Sequence, residues 1–243
     1  MKGRKKTVTD VEMPLLEHFR ELRSRLIISI VTLAAAGIIA WFFYNPIIAF
    51  LQRPIEGSPL YVLSVFEGFL MRVKISLFTG IIISSPVIIF NILRFVFPGL
   101  TNKEKTILRS ALIACTFLAV ISFYLSYFTI LPFSIRFLLG SSFIPYGTGQ
   151  VLQFDQTITI LFQFIIAALI LFQFPVVLEI LMFLGVLRRK TLLKNSRYVI
   201  ICIFILTAII TPPDVFSQIY LAVPLILLYF LSIGVAVILK IGG

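Results

Sequence analysis

The chain has 243 residues, with 21 lysines and arginines against 10 acids, a formal net charge of +11 and 60% hydrophobic residues. A mean hydropathy of +1.09 with only 13% charged residues excludes the ordinary soluble classes. The positive balance then points to cytoplasmic loops and anionic lipid before nucleic acid. The apolar runs are continuous rather than ten-residue alternations, which reads as membrane helices and not as a β-barrel. An all-α polytopic protein is expected, with 1–243 forming a single integral membrane domain.

In chain order, residues 1–25 read as a basic leader. It is not a cleavable signal peptide, because the apolar stretch behind it is long and lacks a small-residue cleavage pattern. The leader ends in EHFRELRSRL at 17–26. On a helix Glu17 and Glu21 share a face, as do His18 and Arg25 with Glu21 between them. Arginines at the foot of a span are ordinary topology signals, but that reading leaves Glu21 unexplained. The first span is expected at 26–44 and ends in the aromatic cluster Trp41 to Tyr44. A loop with Pro46, Pro54 and Pro59 follows, including an amphipathic piece around Ile47–Leu51 on the membrane surface. The second span is expected at 73–97, bent near Pro86, and the third at 106–131 after the turn PGLTNKEK. An outer loop is expected from Pro132 to Gln156. The fourth apolar run, 157–187, is too long for a straight crossing and must tilt, kink at Pro175 or protrude. The fifth, 198–210, is short for the bilayer core and implies local thinning. The sixth is 218–239, and TPPD between the last two predicts a tight hairpin.

Six spans put both termini on one side. The leader, the 94–109 segment, the 188–197 loop and Lys240 hold 17 of the 21 lysines and arginines. The opposite side holds only Arg53, Arg72, Lys74 and Arg136, so the termini are expected in the cytoplasm. Enzyme chemistry finds no support: no phosphate-binding loop, no H-E-x-x-H, no G-x-S-x-G, and His18 as the single histidine. Cys115 and Cys202 show no metal or disulfide spacing and read as packing residues. No metal or cofactor is expected. The polar residues at unusual depth are Gln163, Gln173 and Glu179, with Arg94 or Arg188 as partners for the last. A six-span small-molecule or ion transporter would need a midplane site built from these three. Glu21 and Glu104 either neutralise neighbouring arginines or receive cations from a ligand.

HFRELRSRL at 18–26, SSPVIIF at 84–90, FPGLTNKEK at 97–105 and TPPDVFSQ at 211–218 together resemble the TatC family, the multispanning core of the twin-arginine protein translocase. The resemblance runs from about residue 12 to 240. It implies a multi-pass protein of the bacterial or archaeal cytoplasmic membrane that binds S-R-R-x-F-L-K-type signal peptides of folded substrates. It further implies assembly into a multimeric complex with single-span TatA/TatB-type subunits, and transport driven by the proton gradient. The family's signal-peptide-binding residues match Glu21, Arg23, Arg25, Phe95 and Glu104. Pro54 and Asp214 match functionally sensitive positions of the outer loops, and Gln173 is a candidate contact for a partner helix. One departure stands out. Where many members carry a glutamate in an F-E-x-P pattern, this chain reads Phe172-Gln173-Phe174-Pro175, so an amide replaces the ionisable group.

Overall fold

In hydrocarbon every backbone N–H and C=O must find a partner within the chain, which leaves helices as the economical answer for apolar runs of this length. The computed structural model describes residues 15–55, 59–96, 102–140, 151–211 and 215–238; the side chains at 15–17, 96 and 102–108 are outside that description. Ten α-helices are found among the described residues: α1 (Leu15–Phe42), α2 (Tyr44–Gln52), α3 (Glu67–Val96), α4 (Asn102–Tyr124), α5 (Leu131–Leu138), α6 (Phe154–Leu171), α7 (Phe174–Phe183), α8 (Arg189–Lys194), α9 (Ser196–Ile210) and α10 (Val215–Ile238). Among the described residues five helical stretches are long and apolar enough to cross a membrane: His18–Phe42, Glu67–Phe95, Arg109–Leu138, Phe154–Phe183 and Val215–Ile238. α9, also apolar, has 15 residues and reaches only about 22 Å.

The centre of the bundle is α6. In the stretch Phe154–Phe183, formed by α6 and α7, half of the most apolar part is buried, against 11% for α1. Ile158, Leu161, Phe162, Ile165 and Ala168 of α6 join Leu221, Ala222, Leu225, Tyr229 and Ile233 of α10 in one core. α1 instead hangs on α3 as an antiparallel pair, with Trp41 against Phe69 (6.2 Å) at one end and His18 against Phe95 (4.4 Å) at the other. Between these ends Asn91, buried, donates from Nδ2 to Ser29 Oγ at 3.2 Å.

The far end of the bundle, opposite the start of α1, is capped by the outer segments. Two short strands, β1 (Leu60–Tyr61) and β2 (Leu152–Gln153), pair in parallel. Beneath them Glu67, 6% exposed, accepts hydrogen bonds from the backbone N–H of Leu63 (2.7 Å), Ser64 (3.1 Å) and Asp155 (3.0 Å). Asp155 in turn pairs with Lys74 Nζ at 2.5 Å. One carboxylate thereby joins the entry of α3 to the entry of α6, using the charge-assisted bonds that are the strong class. Glu67→Gln is expected to release these amides: hydrogen exchange at Leu63, Ser64 and Asp155 should quicken roughly tenfold or more. Unchanged exchange would show that the strand pair alone holds the cap.

Several boundaries differ from the sequence reading. The first helix starts at Leu15, so the charged turns are part of the span's own helix rather than a separate leader, and it ends at Phe42. α3 begins at Glu67, six residues before the expected 73. The helix after α4 does not stop at Leu131. It continues through a π-helical stretch, Leu125–Ile130, into α5, with Pro132 tolerated in that helix's first turn. All of 132–138, expected as loop, is therefore helix. The wider π turn sits where Tyr127 stacks on Phe50 of α2 (4.1 Å) and donates its hydroxyl to the Phe50 carbonyl. α2 accordingly packs its Leu51 inward and is not only a surface helix.

The fourth run breaks at Phe172–Gln173, just before Pro175, which occupies the first turn of α7. It ends at Phe183 and not at Leu187. Gly185, at φ 73°, closes the helix: Val186 N–H bonds the Leu181 carbonyl (3.0 Å) and Gly185 N–H the Met182 carbonyl (3.2 Å). This pattern needs a left-handed residue, which glycine adopts without a Cβ clash. α9 and α10 pack together, and Gln218 Nε2 donates to the Phe204 carbonyl at 3.0 Å. Their connection at 212–214 lies outside the described residues.

Candidate functional site

The ends of the bundle differ sharply in charge. The end where α1 begins carries Arg20, Arg23, Arg25, Arg94, Arg109 and the cations of 188–197, whereas the capped end carries Arg53, Arg72, Lys74 and Arg136. On a helix His18, Glu21 and Arg25 are spaced i, i+3 and i+7 and line one stripe of α1. That stripe faces the last turns of α3. The His18 ring stacks on Phe95 at 4.4 Å with the planes 19° apart. Arg25 Nη2 donates to Glu21 Oε1 at 3.3 Å, the favourable order of acid before base at i, i+4.

Glu21, Arg25 and Phe95 are therefore brought together, and Glu21 is paired rather than free. Arg23 is exposed on the other side of α1 and is not part of the stripe. Glu104 stands in the first turn of α4, where a negative charge favours the helix N-terminus; its side chain is outside the described residues. Only residues 97–101 separate α3 from α4, so this turn starts within about 20 Å of Val96, at the same end. Pro54 lies in the short 3-10 turn Arg53–Ile55 that follows α2, beside the buried Ile55, at the opposite end. Asp214 falls outside the described residues.

Gln173 sits at the break between α6 and α7. Its Nε2 donates to the carbonyls of Cys115 and Leu169, both at 3.4 Å, while its Oε1 is buried with no partner among the described residues. It borders a groove of about 420 Å³ between α3, α4, α6 and α7 whose walls include Ser85, Ile89, Leu93 and Ile180. Glu179 is half-buried nearby and, among the described residues, pairs with neither Arg94 nor Arg188; Arg94 instead lies over the Phe90 ring at 5.9 Å. Cys115 is buried as a packing residue, but Cys202 is exposed on α9. Among the described residues no cluster of His, Cys, Asp and Glu could hold a metal ion. Sequence reading missed the His18–Phe95 stack, the Asn91–Ser29 bond and the Glu67 hub. The buried Asn and Glu were visible as polar residues near apolar runs, but nothing local marks a ring stack across 77 positions.

The sequence model of the Sec-independent protein translocase protein (TatC) matches residues 17–224. Among relatives, the Sec-independent protein translocase protein TatC of Aquifex aeolicus is 38% identical over 225 residues, covering 91% of this chain and 93% of that one. That of Carboxydothermus hydrogenoformans is 34% identical over 238 residues, covering 95% and 96%. A solved structure, the twin arginine translocase receptor TatC in DDM, superposes with a TM-score of 0.78 at 36% identity, covering 90% of this chain and 98% of that one. With helices of membrane-spanning length, a polar patch at one end and these matches over nearly its whole length, the chain belongs to the TatC family and is a multi-pass component of the Sec-independent protein translocase in the cytoplasmic membrane.

Proposed function

We propose that this protein is the signal-peptide receptor of a twin-arginine translocase, and that the face formed by α1 and the junction of α3 and α4 receives the two arginines of the signal peptide. The His18–Phe95 stack carries the reading, because it ties the acidic turn of α1 to the α3–α4 junction. Glu21 and Glu104 accept the two guanidinium groups, planar forks that suit carboxylates bidentately. Arg25 orients Glu21 through its ion pair, Arg23 contributes from the neighbouring surface, and Phe95 lends an apolar wall. Pro54 and Asp214 shape the opposite face. The chain crosses the membrane six times as one domain, α9 and α10 forming a hairpin, with both termini in the cytoplasm, as the separation of cations between the two ends supports. Transport runs on the proton gradient within a complex that includes single-span TatA/TatB-type subunits. The test is binding of a synthetic twin-arginine peptide to the purified protein beside its Lys-Lys counterpart. Selective binding of the arginine form is expected, and equal binding of the two would reject the receptor reading.

Partner helices dock at the break between α6 and α7, where the unpartnered Gln173 Oε1 offers an acceptor inside an apolar groove. Gln173→Leu is expected to weaken co-purification with the single-span subunits by about fivefold, the effect of one interhelical hydrogen bond of about 1 kcal/mol. Undiminished co-purification would move the docking point elsewhere.

A further inference from the structure

A second, shallower groove runs along the outside of the α1–α3 pair, about 520 Å³ in volume and walled by Ile30, Leu33, Ala34, Ile38, Trp41 and Leu77 among others. From Ile30 to Phe42 it extends about 18 Å along α1, close to the roughly 15 Å depth of one leaflet of the hydrocarbon core. Its existence follows from the helix crossing. Gly37 and Gly80 let the backbones approach so closely that a Cβ on Gly80 would lie 3.0 Å from Gly37 N, and Gly37 itself lines the groove. At the Trp41 end of the groove, next to the lining residue Val73, stands Arg72. The guanidinium lies 4.6 Å from the Trp41 ring centroid and 5.1 Å from that of Tyr44, and Nη2 donates to the Trp41 carbonyl at 3.2 Å. Among the described residues that carbonyl is the one protein acceptor found for the five guanidinium donors. Nε is buried without a hydrogen-bond partner, and among the described residues no carboxylate pairs with Arg72, whereas its neighbour Lys74 is neutralised by Asp155.

An apolar trough of leaflet depth, with a cation held at an aromatic interface beside it and no counter-ion among the described residues, has the shape and charge of a lipid seat. We propose that the α1–α3 groove is a binding site for an anionic phospholipid. One acyl chain lies along Ala34 and Ile38, and the phosphate accepts hydrogen bonds from Arg72. Trp41 and Tyr44 hold the guanidinium level with the headgroups. The site lies at the end opposite the acidic patch of α1 and is independent of the receptor reading.

Trp41 is the single tryptophan of the chain and lines this groove, so its fluorescence reports occupancy directly. The protein is reconstituted into phosphatidylcholine vesicles in which part of the lipid is replaced by phosphatidylglycerol with brominated acyl chains, or by phosphatidylcholine with the same bromines. At equal mole fraction the brominated phosphatidylglycerol is expected to quench Trp41 as though enriched about fivefold at the site, the preference one arginine gives an anionic headgroup. Arg72→Gln is expected to bring the two quenching curves together, while Arg53→Gln, at an exposed cation of the same end, leaves them apart. Ala34→Phe fills the trough from an exposed position and should lower the phosphatidylglycerol excess even if the Arg72 variant fails to fold. Coincident curves for the native protein, or an excess that survives both Arg72→Gln and Ala34→Phe, would overturn the proposal.

Discussion

Replacing Glu21 and Glu104 together by alanine is expected to weaken binding of a twin-arginine peptide at least tenfold, with helix content and thermal transition unchanged. A desolvated guanidinium–carboxylate contact at an interface contributes about 2 kcal/mol or more when one partner is truncated, which corresponds to at least a tenfold change in affinity. The side chains of Arg25 and Glu21 are only 18% and 23% exposed, so an arriving arginine meets an acid already oriented and partly shielded from water. In the proposed complex Glu21 would lend its other oxygen to the ligand and keep Arg25 as its anchor. Arg25→Ala alone should therefore also reduce binding, although it removes a positive charge and simple electrostatics predicts a gain. Lys103 and Lys105 flank Glu104 and temper its attraction modestly, as exposed charges do. If the double variant binds as tightly as the native protein, both carboxylates serve local charge balance alone.

The largest stability effect is expected at the α1–α3 crossing. A Cβ on Gly80 would lie 3.0 Å from Gly37 N, 3.1 Å from Gly37 Cα and 3.2 Å from the Leu33 carbonyl oxygen, all of them backbone atoms. They cannot rotate aside, so Gly80→Leu must push the helices apart, at a cost of about 3 kcal/mol. Little else holds α1: 11% of its apolar window is buried, and the Ser29–Asn91 bond and His18–Phe95 stack both require the close approach. Gly37→Ala provides the contrast. Its Cβ meets only the Ser76 carbonyl oxygen at 3.6 Å, an ordinary contact, and stability should stay within about 1 kcal/mol of native. Thermal unfolding in detergent, read beside the fluorescence of Trp41 at the α1–α3 contact, checks both. Equal stability of the two variants would mean that α1 does not depend on this crossing. Because α1 carries Glu21, Gly80→Leu is also expected to lower peptide binding without touching a binding residue.

Sequence alone determined the class of this protein, because the length of an apolar run and the side on which lysine and arginine gather follow from the thickness and charge of a bilayer rather than from any partner segment. It also carried the motifs around Glu21, Phe95, Glu104 and TPPD that identify the family. Only tertiary structure decided what those motifs meet. Glu21 reads as a surplus acid in EHFRELRSRL; its pairing with Arg25 is local, one helical turn on, whereas the His18–Phe95 stack that sets this stripe against α3 is not. Pro132 reads as a stop, but the helix runs on through it into α5, with the wider π turn of Leu125–Ile130 lying just before the residue that has no N–H to donate. Glu67 looked like an acid at the edge of a span and became the joint between two outer segments, since its donors include a residue 88 positions away. Arg72 was counted as one of four outer cations, and only the packing of α1 on α3 set it above an apolar trough. Such pairings join residues far apart in the chain, and no local pattern encodes them: the side chains that meet are chosen by how closely two helices can approach, which at Gly37 and Gly80 is decided by the absence of a single carbon atom.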